Sequence, residues 1–179
     1  MSAPSFVSGR AGGAVVVAAV TALTMIASGG CTRDREIDGV AGYSLERTTL
    51  ADAPGICSAQ DDLTWCHNNP GVSFGERPAS VDLYFRGEED DAPLVEILLG
   101  ISACRPAEVE GVLMSQLGEP DVRRGSILRW DGAYAVTVAQ LAKDTRACEV
   151  NIVSPDDEER IAELMSAAKS AGDVGETTP

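Results

Sequence analysis

The residue pattern predicts an α+β domain: a mostly antiparallel sheet of about five strands, in the order ββ-α-βββ-α, covered by helices and preceded by an irregular, disulfide-pinned lobe. Three observations carry this reading. Two runs between residues 80 and 101 alternate with the period of a strand, residues 106–117 repeat apolar side chains with the period of a helix, and an Asp-Gly pair separates two further apolar runs.

Residues 1–10 carry one basic side chain, Arg10, and no acid, and residues 11–27 (AGGAVVVAAVTALTMIA) are uncharged and mostly small or apolar. A basic head before an apolar stretch is the layout of a secretion signal. The stretch is short for a bilayer span, which needs about 20 apolar residues, and Ser28, Gly29 and Gly30 follow it. Residues 1–30 therefore read as a signal peptide. With Cys31 behind it, the segment resembles a bacterial lipoprotein signal, in which small residues precede a cysteine that is lipidated and becomes the mature N-terminus. Gly29, Gly30 and Cys31 match that pattern, and Ser28 stands where such signals carry Leu or another aliphatic residue. The resemblance implies a protein of the bacterial cell envelope, anchored to a membrane through lipid on Cys31, at the outer membrane facing the periplasm or the cell surface. It implies an address and no activity.

The cysteine count points the same way. Cys31, Cys57, Cys66, Cys104 and Cys148 are an odd number, awkward in an oxidising compartment unless one has another task. With Cys31 lipidated, four remain. Four cysteines allow three connectivities; proximity favours Cys57 with Cys66 and, by exclusion, Cys104 with Cys148. Staples of this kind contribute roughly 2–4 kcal/mol each and suit a small exported domain.

The chain has 14 basic and 28 acidic residues and a formal charge of −14. Removing residues 1–30 takes away Arg10 and no acid, so the exported part is more acidic still. Such a surface repels phosphate, and binding a nucleic-acid backbone needs clustered Lys and Arg, so a nucleic-acid partner is excluded.

Residues 31–42 read as the lipidated cysteine and a flexible polar tether. Residues 43–79 show no sustained period and contain Pro54, Gly55, Asn68, Asn69, Pro70, Gly71, Gly75 and Pro78, which reads as an irregular lobe pinned by Cys57 and Cys66 and packed through Leu63, Trp65 and Phe74. The α+β body runs over 80–170, forming one domain with the lobe, and 171–179 (GDVGETTP from 172) reads as a disordered tail.

In SVDLYFR, Val81, Leu83 and Phe85 alternate with polar neighbours, and in PLVEILLGI Val95, Ile97, Leu99 and Ile101 share one face of a second strand, giving a hairpin across the acidic residues Glu88, Glu89, Asp90 and Asp91. A helix follows from Pro106 to Leu117. Its stripe of Val109, Val112, Leu113, Gln116 and Leu117 is apolar except for Gln116, and Gly118 and Pro120 end it. Gly111 inside it costs about 1 kcal/mol relative to Ala unless close packing offsets this. Asp131-Gly132 predicts a two-residue hairpin turn placing Trp130 opposite Ala133 and Ile127 opposite Val136. In ACEVNIV, Cys148, Val150 and Ile152 share a face, with Cys148 inward. The last helix starts with Ser154 as N-cap and Pro155, carries Asp156, Asp157, Glu158 and Glu159 in its first turns, and presents Ile161, Leu164, Met165 and Ala168 to the core.

Residues 108–130, a helix ending in LGEPD and a strand ending in Trp, resemble small outer-membrane lipoproteins of the BamE/SmpA kind. The likeness covers that stretch alone and no functional residue is carried over from it.

Apparent active sites dissolve on inspection. GVSFG at 71–75 has the spacing of a nucleophile elbow around Ser73, but no strand precedes it and no helix follows, and the one histidine, His67, comes before the serine. Ser166 and Lys169 have S-x-x-K spacing without the companion S-D-N and K-T-G motifs. Cys57, Cys66 and His67 are zinc-type ligands lacking a fourth, and a disulfide would consume both thiols. The acidic run at 88–91 lacks the glycine-punctuated alternation of a calcium loop. Glu96 lies in an apolar strand and reads as part of its exposed face. The sequence thus assigns no catalytic residue, metal or cofactor. Its functional expectation is a non-enzymatic module that binds another envelope protein, with Trp65, Tyr84 and Trp130 as the candidate surface. The alternative is a small envelope hydrolase or ligand-binding lipoprotein using the lobe around Trp65, His67 and Ser73.

Overall fold

The computed structural model describes residues 39–45, 47–141 and 147–166. Cys31, the tether and the tail lie outside these residues. The elements are β1 (Gly39–Val40), β2 (Tyr43–Ser44), a 3-10 turn (Leu50–Asp52), β3 (Ile56–Gln60), β4 (Leu63–His67), β5 (Val72–Phe74), β6 (Arg77–Arg86), β7 (Leu94–Ser102), α1 (Pro106–Leu117), β8 (Val122–Arg124), β9 (Ile127–Asp131), β10 (Val136–Gln140), β11 (Ala147–Val153) and α2 (Glu158–Ser166). β1 and β2 form a small ribbon. The other nine described strands make one sheet, ordered β3-β4-β6-β7-β11-β10-β9-β8, with β5 also beside β6. Every pair is antiparallel.

The α+β, antiparallel reading stands, and the count of about five strands does not. The surplus lies mostly in 43–79, read as irregular but contributing β2 to β5. These strands hide their period for physical reasons. β3 buries no residue, so nothing forces alternation on it, and β4 turns Thr64 and Cys66 inward while Leu63, Trp65 and His67 lie on the other face, only partly buried. β8 is short and joins β9 through Gly125, whose φ of +60° suits a tight turn.

Two cores sandwich the sheet. On one face, Val81, Leu83, Phe85, Ile97, Leu99, Ile101, Leu128, Trp130, Val150 and Ile152 pack with Val109, Leu113 and Leu117 of α1. On the other, Ile127, Val136, Val138 and Val153 meet Ile161, Leu164 and Met165 of α2. This two-sided burial explains why β10 is buried at Val136, Thr137, Val138 and Ala139 without alternation. α1 spans the expected residues and closes at Gly118, at φ +81°, whose N–H donates to the Met114 carbonyl at 2.9 Å.

Two expected details are corrected. Trp130 lies opposite Thr137 and Ile127 opposite Gln140, across a loop over 132–135 closed by the Gly132 N–H on the Ala135 carbonyl at 3.0 Å. Asp131 stays in the strand because its N–H donates to the Asp121 carboxylate at 2.8 Å and its own carboxylate accepts from Arg129 at 2.6 Å. The shift by four residues preserves which face each side chain occupies. α2 starts at Glu158 rather than at Pro155. The Ser154 N–H donates to the Val95 carbonyl at 3.0 Å, which prolongs the sheet, and Asp157 caps the helix by accepting the Arg160 N–H at 3.2 Å. Ala168 lies outside the described residues.

Both disulfides favoured by the sequence are present. Cys57–Cys66 crosses from β3 to β4 with Cα atoms 4.0 Å apart, and Cys104–Cys148 joins the entrance of α1 to β11 at 5.5 Å. Among the described residues no helix is long and apolar enough to cross a membrane.

Candidate functional site: an open strand edge

β3 forms one margin of the large sheet, and its sequence ICSAQ has no charge and no proline. Gln60 pairs with Leu63 across a turn over Asp61 and Asp62, with Asp61 at φ +54°. The short Cα separation at Cys57–Cys66 marks a pair that exchanges no backbone hydrogen bonds, so the N–H and C=O of Cys57 point away from β4. Ala59, two residues on, has the same orientation. Among the described residues no strand lies on that side of β3. The disulfide ties β3 to β4 while those groups face outward, and Ile56 is 61% exposed beside them.

The α2-facing side of the sheet continues from this margin. Register aligns Ser58, Trp65, Tyr84 and Glu96 in one row across four strands. Trp65 and His67 stack with ring centroids 4.5 Å apart and planes at 29°. Trp65 Nε1 and His67 Nδ1 are both buried and have no hydrogen-bond partner among the described residues. Tyr84, next in the row, has its pKa raised, first by burial and then by the charges of Glu96 and Asp82.

The row ends on an ion pair. Glu96, expected on an exposed face, is only 3% exposed, because α2 lays Arg160 over it. The guanidinium donates to both carboxylate oxygens, at 2.7 and 3.0 Å. It also donates to Glu163 at 2.7 Å, and the hydrogen bond to Glu96 is the main cause holding the Arg160 pKa above its usual value. Arg86 reaches Asp157 at the start of α2 at 2.9 Å. These two pairs fix where the helix-covered half of the face ends.

The expected surface is thus divided. Trp65 and Tyr84 are register partners on one face, both partly buried. Trp130 is 1% exposed in the opposite core, its indole N–H donating to the Gly118 carbonyl at 2.8 Å, so it is no surface residue. Ser73 sits mid-strand in the β5–β6 hairpin opposite Pro78, without the strand-to-helix turn of a nucleophile elbow. His67 lies one residue beyond the Cys66–Leu83 pair, level with Asp82, so Ser73 is four residues further along β6, roughly 13 Å at strand rise. The two are not brought together. Cys57 and Cys66 are consumed by their disulfide, and among the described residues no group of three or more His, Cys, Asp or Glu converges as metal ligands do.

Sequence reasoning missed the β3 margin itself. The signal was present in the cysteine spacing, since two cysteines nine residues apart around an Asp-Asp pair fit a cross-strand bridge closing a hairpin. Compared with known proteins, the chain matches no family model, no curated protein and no solved structure.

Proposed function

We propose that the protein is an exported, lipid-anchored envelope protein that works as a non-enzymatic interaction module, adding an extended segment of another envelope protein to the edge of β3. The observation that carries this is the uncharged, disulfide-linked margin with exposed Ile56. Exposed edges template pairing with other chains, and proteins ordinarily blunt them with charge, proline, bulges or a covering element. Strand addition uses the backbone groups of Cys57 and Ala59 for affinity and the side-chain positions around Ile56 and Ser58 for selection. Asp61 and Asp62 at the tip, on a chain of charge −14, favour a partner segment with basic residues at that end. The separation of Ser73 from His67 favours this reading over hydrolysis.

A photo-crosslinking side chain at Ser58 in intact envelopes tests it. One partner should be captured, and Ala59→Pro should cut capture at least tenfold by removing an outward N–H while leaving the β3–β4 bonds in place. Monomer alone, or equal capture by A59P, overturns the proposal. The anchor is checked separately by intact mass: a chain starting at Cys31 with two or three acyl groups is expected, and an unmodified N-terminus elsewhere overturns it.

A further inference from the structure

The β3 edge is complementary to itself. Within β3, Cys57 and Ala59 are the residues whose backbone groups point away from β4, and Ser58 lies midway between them. A second copy, turned by half a revolution about an axis through Ser58 and normal to the sheet, lays its β3 antiparallel to the first. Cys57 then faces Ala59 of the second copy, and Ala59 faces Cys57 of the second copy. Both members of each pair present outward N–H and C=O groups, so each pair exchanges two hydrogen bonds and the outward groups of both strands are all used. An axis through Cys57 or Ala59 uses fewer. It would set one of the two against Gly55 or Asp61, which lie beyond the ends of the strand, Asp61 at φ +54°.

The side chains suit the same register. Ser58 meets Ser58 of the second copy in a non-hydrogen-bonded pair, where side chains stand closest, and both are small. Ile56, 61% exposed, faces the methylenes of Gln60 of the second copy. Charge does not oppose the contact, although the chain carries −14. β3 itself has no charged residue, and the two acidic tips point to opposite ends. Each Asp61 lies three residues from the axis, so the two are about 20 Å apart at strand rise. That is more than twice the Debye length of about 8 Å at physiological salt.

We infer that β3 pairs with β3 of a second copy of this chain, in a two-fold dimer centred on Ser58. The contact joins five residues a side, against about 20–30 in a stable interface, so the dimer is weak and exchanges readily. It occupies the edge proposed above for another protein's segment, and the two complexes exclude each other. The dimer itself does not rest on that reading.

Position 58 carries the test. In the full chain with Ser58→Cys, mild oxidation should link two copies, because Cα atoms about 4.5 Å apart suit a disulfide. Peptide mass mapping should place the bond between position 58 of each copy, with a yield at least tenfold above that of the like bonds in Ile56→Cys and Gln60→Cys. Adding Ala59→Pro should cut the yield at least tenfold. In the unaltered chain, raising the concentration from about 10 μM to about 1 mM, the range of weak complexes, should slow amide exchange at Cys57 and Ala59 at least threefold. Ser58, whose N–H faces β4, should exchange at an unchanged rate. Equal yields at 56, 58 and 60 overturn the register. Exchange at Cys57 and Ala59 that ignores concentration overturns the dimer, whether or not the variants fold. A crosslink from position 58 to a different protein alone also overturns it, and leaves the partner segment standing.

Discussion

The two margins of the large sheet are built differently. β3 offers five residues without charge, buries none of them, and leaves the backbone groups of Cys57 and Ala59 facing outward. β8 offers three residues, two of them Arg123 and Arg124, and Arg123 is tied to Glu110 of α1 at 2.7 Å. Near β8 both faces of the sheet are covered, by α1 on one side and α2 on the other. Near β3, Trp65 belongs to neither of the helix-covered cores, and a disulfide ties β3 to β4. One end is finished by the usual means of blunting an edge; the other is held in shape and left open.

The largest effect is expected where the covered half ends. Arg160→Ala strands the buried Glu96 carboxylate and should cost about 3 kcal/mol in urea unfolding, since breaking a buried pair leaves an uncompensated charge. Replacing both partners, Glu96→Leu with Arg160→Met, should recover most of that loss. If the single variant costs under about 1 kcal/mol, α2 is not pinned by this pair, and the boundary between covered and open halves is set by the apolar contacts of Ile161, Leu164 and Met165 alone.

Next comes the support of the open margin. Replacing Cys57 and Cys66 by Ala should cost about 2–3 kcal/mol, near the value for a short closed loop. Amide hydrogen exchange should rise across β3 and β4 and stay unchanged in β8 and β9. Uniform acceleration over the sheet would show that the bridge stabilises the whole domain and that β3 has no local dependence on it.

The contrast also governs what could be read from sequence. β6, β7 and α1 were legible because one face of each is apolar and buried, so Val81, Leu83 and Phe85, or Val109, Leu113 and Leu117, reveal the period. β3 was not legible from any period of its own, because a margin that buries nothing imposes no pattern, and only the spacing of Cys57 and Cys66 pointed to it. β4 inverted the usual signal by placing Thr64 and Cys66 inward. The burial of Glu96 depends on Arg160, 64 residues later, which no local period records. Trp130 looked like surface because an indole beside Asp131-Gly132 suggests a hairpin tip, whereas the longer loop carries Tyr134, 45% exposed, and leaves Trp130 in the core. Of the expected surface residues, Trp65 and Tyr84 are register partners on one face, while the backbone edge has no side-chain signature, since its chemistry is in the main chain.

A smaller effect separates stability from association. Ile56→Lys should change unfolding free energy by less than about 0.5 kcal/mol, because the side chain is largely exposed. It should still reduce partner capture at Ser58 several-fold, by placing a charge on the edge in the way natural edges are blunted. Charge reversal on the opposite margin, Arg124→Glu, should leave capture unchanged. Equal losses from both substitutions would mean that net charge, rather than the β3 edge, governs association.

The least effect concerns the helix to which the closed margin is tied. Glu110 anchors Arg123, and the next residue is Gly111, whose conformational freedom costs α1 stability. A Cβ built there meets nothing within 4 Å, so close packing does not account for the glycine. Gly111→Ala should therefore stabilise by about 0.5–1 kcal/mol, through reduced entropy of the unfolded chain and better helix propensity. That corresponds to a rise in melting temperature of about 2 °C for a protein of this size. A neutral or negative result would show that α1 gains nothing from greater rigidity. The closed margin would then rest on the Arg123–Glu110 pair and the apolar contacts of α1 with the sheet, with helix propensity contributing little.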